Sequence, residues 1–89
     1  MIARRAVVTG RVQGVGFRYF AERVARECGL NGWVRTLPDG SVETLAEGAE
    51  DSVARFLERL RQGPRASRVE AVAEQDVPVQ GLSGFAITA

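Results

Sequence analysis

The apolar positions of this chain fall into short blocks whose period changes from one block to the next. Arg5 to Val12 is short and rich in β-branched residues, the make-up of a strand. Phe17, Phe20, Val24 and Cys28 then recur at spacings of three and four, with Glu22, Arg23, Arg26 and Glu27 between them. That is the period of an amphipathic helix, and Gly29 is a fitting terminator. Gly32 to Leu37 reads as a second strand, Pro38-Asp39-Gly40 as a tight turn with Gly40 in its left-handed position, and Ser41 to Glu47 as the hairpin partner. A second helix follows Gly48. Glu50 and Asp51 suit its positive N-terminal end, and Val53, Phe56, Leu57 and Leu60 form its apolar stripe. Arg59 and Arg61 suit its C-terminal end, and Gly63-Pro64 stops it. Arg68 to Val77 alternates as a further strand, and Gly84 to Thr88 ends the series with Phe85 and Ile87 on one face.

The order is therefore βαββαβ with a short strand appended. Two helices with one apolar stripe each cover one face of an antiparallel sheet, which is the ferredoxin-like split βαβ arrangement, an α+β fold. Eighty-nine residues without a linker or an internal repeat predict a single domain over residues 1–89.

Composition acts mainly by exclusion. Apolar content of 45% and charged content of 26% are ordinary for a globular protein. No apolar run is long enough to span a bilayer, and nothing near Met1 has the form of a signal peptide, so no membrane role is expected. The single cysteine, Cys28, has no partner for an internal disulfide, which points to a reducing cytoplasm. With no histidine and one cysteine there is no basis for a zinc site. A net charge of +1 argues against a protein built for bulk nucleic-acid binding.

Candidate chemistry is concentrated in Gly10-Arg11-Val12-Gln13-Gly14-Val15-Gly16-Phe17-Arg18, between the first strand and the first helix. Glycines let backbone N–H groups turn inward and approach a ligand, and several such groups before a helix start make an anion cradle. Arg18 closes the run with a guanidinium suited to phosphate oxygens. Gln13, Gly14, Val15, Gly16, Phe17 and Arg18 are thus candidates for holding a phosphate or carboxylate, with inorganic phosphate or sulfate as mimics. The run is not a Walker A loop, because the chain has no lysine, nor a dinucleotide fingerprint, because Tyr19 stands where the third glycine belongs. Gln13 to Phe20 matches an RNA-recognition octamer at Gly14, Gly16, Phe17 and Phe20 but lacks the stacking aromatic at Val15. A glycine-rich turn that only connects strand to helix is the plainest alternative.

The stretch Val8 to Arg18 resembles the signature of the acylphosphatases. Gly32-Trp33-Val34-Arg35-Thr36-Leu37-Pro38-Asp39-Gly40-Ser41-Val42, ending at Gly48, resembles the second signature of that family, and Gly63 to Val69 is also similar to it. The resemblance spans nearly the whole chain. It implies hydrolysis of the carboxyl–phosphate bond of small-molecule acyl phosphates by a monomer, without metal or cofactor. A related module begins the hydrogenase-maturation carbamoyltransferase-type proteins. Carried over by position, Arg18 is the catalytic arginine, and Gln13 to Phe17 form the loop whose N–H groups surround the phosphoryl group. The resembling family accepts a larger residue more readily at the position of Gly16 than at that of Gly14, which implies that Gly14 is the one whose backbone only glycine reaches cheaply. The family's water-orienting asparagine falls at Thr36 here, a departure at a catalytic position. Asn31, five residues earlier, falls on the other face of the strand and about 17 Å away, and is not expected to substitute.

Three functions follow as alternatives: an acylphosphatase of reduced rate, an anion-binding module with negligible turnover, and a single-stranded RNA binder. Elsewhere, Trp33 is expected to pack on the sheet, Cys28 to act as a small buried hydrophobe, and Arg4, Arg5 and Arg11 to line a solvated strand. Asp39, Glu43 and Glu47 show no acid–base pairing in the sequence.

Overall fold

The computed structural model describes residues 1–89. Its elements run β1 (Ile2–Arg11), α1 (Phe17–Glu27), β2 (Asn31–Thr36), β3 (Val42–Gly48), α2 (Glu50–Gln62), β4 (Arg68–Val77) and β5 (Phe85–Ile87). The strands form one sheet in the order β4-β1-β3-β2-β5. β1 is antiparallel to both β3 and β4, and β2 is antiparallel to β3, as the split βαβ pattern requires.

The appended strand adds a parallel edge and makes the sheet mixed, because β5 runs parallel to β2. The reason lies in where the chain leaves β4. Val77 ends beside Ala3, at the same end of the sheet where β2 begins beside Phe85. The connection crosses that end of the sheet, so β5 must start from it and run back alongside β2.

Both helices lie on one face. Ala6, Val8, Val34, Val42 and Ala46 of the sheet meet Phe17, Ala21 and Val24 of α1 and Val53, Phe56, Leu57 and Leu60 of α2. Phe85 brings β5 into the same core through an edge contact with Phe56, ring centroids 5.8 Å apart. Cys28 is half-buried against this core, in keeping with its expected part as a small hydrophobe. β4 departs from the simple alternation expected of it. Its register against β1 shifts between Thr9 and Gly10, skipping Glu70, so the half-buried Val69 and Val72 lie three residues apart. A bulge of this kind bends the strand and switches which residues face inward.

The opposite face of the sheet carries two buried carboxylates. Glu43 sits between Arg5 and Arg35, at 2.5 and 2.6 Å, with its side chain 5% exposed. Arg5 is thus not a free residue on a solvated strand but a clasp on Glu43, and Arg35 also lies over the Trp33 ring. Burial opposes ionisation of Glu43, but the hydrogen bonds from Arg35 and Arg5 and their charges outweigh it and hold the pKa below the usual glutamate value. Glu47, fully buried, accepts backbone N–H bonds from Gln80, Gly81 and Leu82 and so ties the β4–β5 connection to the sheet.

Candidate active site

The topology brings the two sequence signatures together. β1 and β2 both neighbour β3 and are antiparallel to it, so they are parallel to each other and end at the same edge of the sheet. The loop after β1 and the last residue of β2, Thr36, therefore meet there, separated by two strand spacings of about 4.8 Å each. Thr36 lies two residues beyond the core residue Val34 and so on the same side as the helices. Asn31 is on the other face at the opposite end, where its Oδ1 accepts the Gly84 N–H at 2.9 Å.

A cleft of ≈ 340 Å³ opens at this meeting point and is lined by Gln13, Gly14, Gly16, Phe17, Arg18 and Thr36, with Val12 and Tyr19. Every expected site residue except Val15 borders it. Val15 is half-buried and packs on the core, and Phe17 is 1% exposed, so both side chains anchor the loop from beneath. Gly14 and Gly16 have φ of +72° and +75°, and a Cβ on either would meet nothing within 4 Å. The expected distinction between them disappears: both are left-handed, and neither is more crowded than the other.

No backbone N–H from Gln13 to Tyr19 donates a hydrogen bond within the chain. Part of this set belongs to the first turn of α1, whose opening N–H groups lack acceptors by helix geometry. The two helices differ in how they treat that end. α2 places Glu50 and Asp51 in its first turn, whereas α1 has no acidic residue there and begins at Gly16 without a side-chain cap. The positive end of α1 therefore has no carboxylate of its own first turn beside it.

Arg18 is exposed and makes neither an ion pair nor a side-chain hydrogen bond, so its donors are free at the mouth of the cleft. Tyr19, 69% exposed on the rim, went unassigned in the sequence, although its place off the apolar stripe beside Arg18 was a usable signal. Gln13 reaches toward the β2–β3 turn: a Cβ on Gly40 would stand 2.9 Å from its Oε1. Gly40 has the expected left-handed backbone, φ +90°. No group of three or more His, Cys, Asp or Glu side chains is placed to hold a metal ion.

A family model described as Acylphosphatase matches residues 4–87. An acylphosphatase of Thermus thermophilus is 54% identical over 80 residues, covering 90% of this chain and 91% of the relative. One from Deinococcus radiodurans is 50% identical over 82 residues, covering 92% and 94%. The crystal structure of acylphosphatase from Bacillus subtilis superimposes with a TM-score of 0.98 at 40% identity, over 100% of both chains.

Proposed function

The chain belongs to the acylphosphatase family, and from that premise we propose how its own residues hydrolyse acyl phosphates to carboxylate and inorganic phosphate. The observation that carries the assignment of roles is that one cleft is lined by Gln13, Gly14, Gly16, Phe17, Arg18 and Tyr19, whose backbone N–H groups have no acceptor within the chain, together with the free Arg18 guanidinium and Thr36. The loop amides and Arg18 bind the phosphoryl oxygens and stabilise the charge that spreads over them in the transition state. Thr36 holds the attacking water. The water's oxygen bonds to phosphorus from the side opposite the acyl oxygen, the P–O bond to that oxygen breaks, the carboxylate leaves with the electron pair, and the water's second proton passes to a phosphoryl oxygen of the departing phosphate. A carboxylate with a pKa of about 4 leaves as the anion, so no side chain has to protonate it.

The reading extends to a monomer in the cytoplasm that does not use nucleic acid. Phe17 is in the core, and Phe20 packs against the core with Arg23 and Arg59 over its ring, so neither aromatic is presented for base stacking. No helix is long and apolar enough to cross a membrane. Turnover of benzoyl phosphate by the wild type and by Arg18→Ala tests the assignment. Loss of at least about a hundredfold in kcat/KM is expected for the variant. A wild type no faster than Arg18→Ala would leave an anion-binding module in place of a catalyst.

A further inference from the structure

We propose that Arg11 and Asp39 select acyl phosphates whose acyl chain ends in an α-amino acid head, with the head's carboxylate on Arg11 and its ammonium on Asp39. The proposal rests on the reading of the Gln13–Arg18 loop as the phosphoryl cradle. The cleft that holds this cradle shares Val12 and Gln13 with a larger neighbouring cleft of ≈ 430 Å³ between the end of β1 and the β2–β3 turn. A phosphoryl group held by the loop leaves its acyl chain free to extend across Gln13 into that space. Val12 is the single hydrophobic residue in the wall of this second cleft, which is otherwise lined by polar and charged residues and glycine.

Two opposite charges border this cleft without using each other. Arg11 is exposed and pairs with no carboxylate of the chain. Its cross-strand partner on β4 is Arg68, also exposed and without an ion pair. Like charges directly opposite on paired strands repel, and an anion bound between strand end and cleft relieves that repulsion. Asp39 supplies the other sign. Its Oδ1 accepts from the Ser41 backbone N–H at 2.9 Å and from the Ser41 hydroxyl at 2.5 Å, while Oδ2 takes no hydrogen bond. Those bonds, the hydroxyl's first, hold the Asp39 pKa below its usual value, so the carboxylate stays charged.

Neither charge is required by the fold. The turn at Pro38-Asp39-Gly40 needs one acceptor oxygen at position 39, which an asparagine also offers. Arg11 contributes its backbone to the β1–β4 ladder whatever its side chain carries. A carboxylate can take two parallel N–H bonds from Arg11, and an ammonium can donate to the free Asp39 oxygen. A tail with only a negative charge meets Asp39 as a repulsion, and an apolar tail strips water from both charges with no compensation. The pair thus rewards a zwitterion and rejects its single-charge and uncharged counterparts.

Two measurements test this. The first compares kcat/KM for β-aspartyl, succinyl and acetyl phosphate. The second uses calorimetry to compare the affinities of acetylphosphonate and the acyl phosphonate built on the aspartate side chain, which reads the cleft whatever the turnover. β-Aspartyl phosphate is expected to exceed both others by about tenfold or more, and its phosphonate to bind tighter by a similar factor. Arg11→Gln and Asp39→Asn should each bring these ratios close to one, and any general effect of Arg11 on phosphate cancels in the ratio. A wild-type ratio near one, or a preference that survives both substitutions, overturns the proposal. So does an equal preference for succinyl phosphate with Asp39→Asn silent, which would leave a simple anionic subsite. Failure of the underlying reading looks different: both phosphonates would bind Arg18→Ala as well as they bind the wild type.

Discussion

Threonine at position 36 keeps a hydroxyl where the family's asparagine has an amide one atom longer, so any water it holds sits about 1 Å deeper, a shift that can cost a hundredfold in rate. Thr36→Asn is therefore expected to raise kcat on benzoyl phosphate ten- to a hundredfold, about 1.4 to 2.7 kcal/mol of barrier. Inhibition by inorganic phosphate should stay nearly unchanged, because the proposed roles put residue 36 on the nucleophile and the loop with Arg18 on the anion. An unchanged or lower kcat in a folded variant would assign water positioning to another group. Glu43 carries a different residue-scale prediction. Its pKa is depressed in the fold, so its contribution to stability is present above the unfolded value of about 4.3 and is lost as pH falls through the lower folded value. Glu43→Gln should cost about 2 kcal/mol at neutral pH, less than a fully buried pair loses because Arg5 and Arg35 stay 38% and 42% exposed. Urea titrations at pH 7 and pH 3 should show the gap between the two proteins closing in acid, and a constant gap would mean the carboxylate's charge is not what matters. The sequence makes Arg18 legible and Glu43 opaque for one reason. Arg18 is named by the glycines immediately before it, whereas Glu43 meets Arg5 from 38 residues away, a contact that no local pattern encodes.

Periodicity fixes most elements because each helix stripe and strand run is a local property. Arg68 to Val77 and the α2 stripe emerge as read, and the other boundaries move by up to three residues. What periodicity does not carry is pairing. Nothing in Phe85-Ala86-Ile87 says that β5 should run parallel to β2, and the bulge in β4 arises from its fit against β1. The β5 arrangement depends on the crossing segment, and that segment depends on Glu47. Its three N–H bonds fix residues 80–82, and Gly84 is held next by Asn31, just before the edge strand begins. Glu47→Ala should release this strap while leaving the β1–β3–β2 ladder intact. Hydrogen exchange is expected to speed up at the amides of residues 80–88, with those of Ala6 and Val8 little changed. Uniform acceleration across the sheet would show that Glu47 supports the whole fold, and no acceleration would show that the connection holds itself.

At the scale of the molecule, the distribution of charge matters more than its sum. The net charge is only +1, yet Arg11, Arg18 and Arg68 are unpaired and cluster at the sheet end that holds the α1 N-terminus, while Arg4, Arg5, Arg35 and Arg61 are matched to carboxylates elsewhere. That end of a nearly neutral protein thus carries more unpaired positive charge than the one carboxylate in its clefts, Asp39, can offset, an excess that favours an anion. Binding there must stabilise the folded chain, since the unfolded chain has no cradle. Phosphate at ten times its Kd should add about 1.4 kcal/mol, which for a domain of this size is roughly 6 to 11 °C in Tm. The rise should follow phosphate or sulfate and not chloride at matched ionic strength, because it depends on oxygens that accept from several N–H groups at once. Arg18→Ala should flatten the curve while keeping a cooperative transition, and Arg11→Gln should leave most of it, since inorganic phosphate has no chain to extend into the neighbouring cleft. A full rise in Arg18→Ala would place the anion elsewhere and remove the basis for the catalytic role given to this loop.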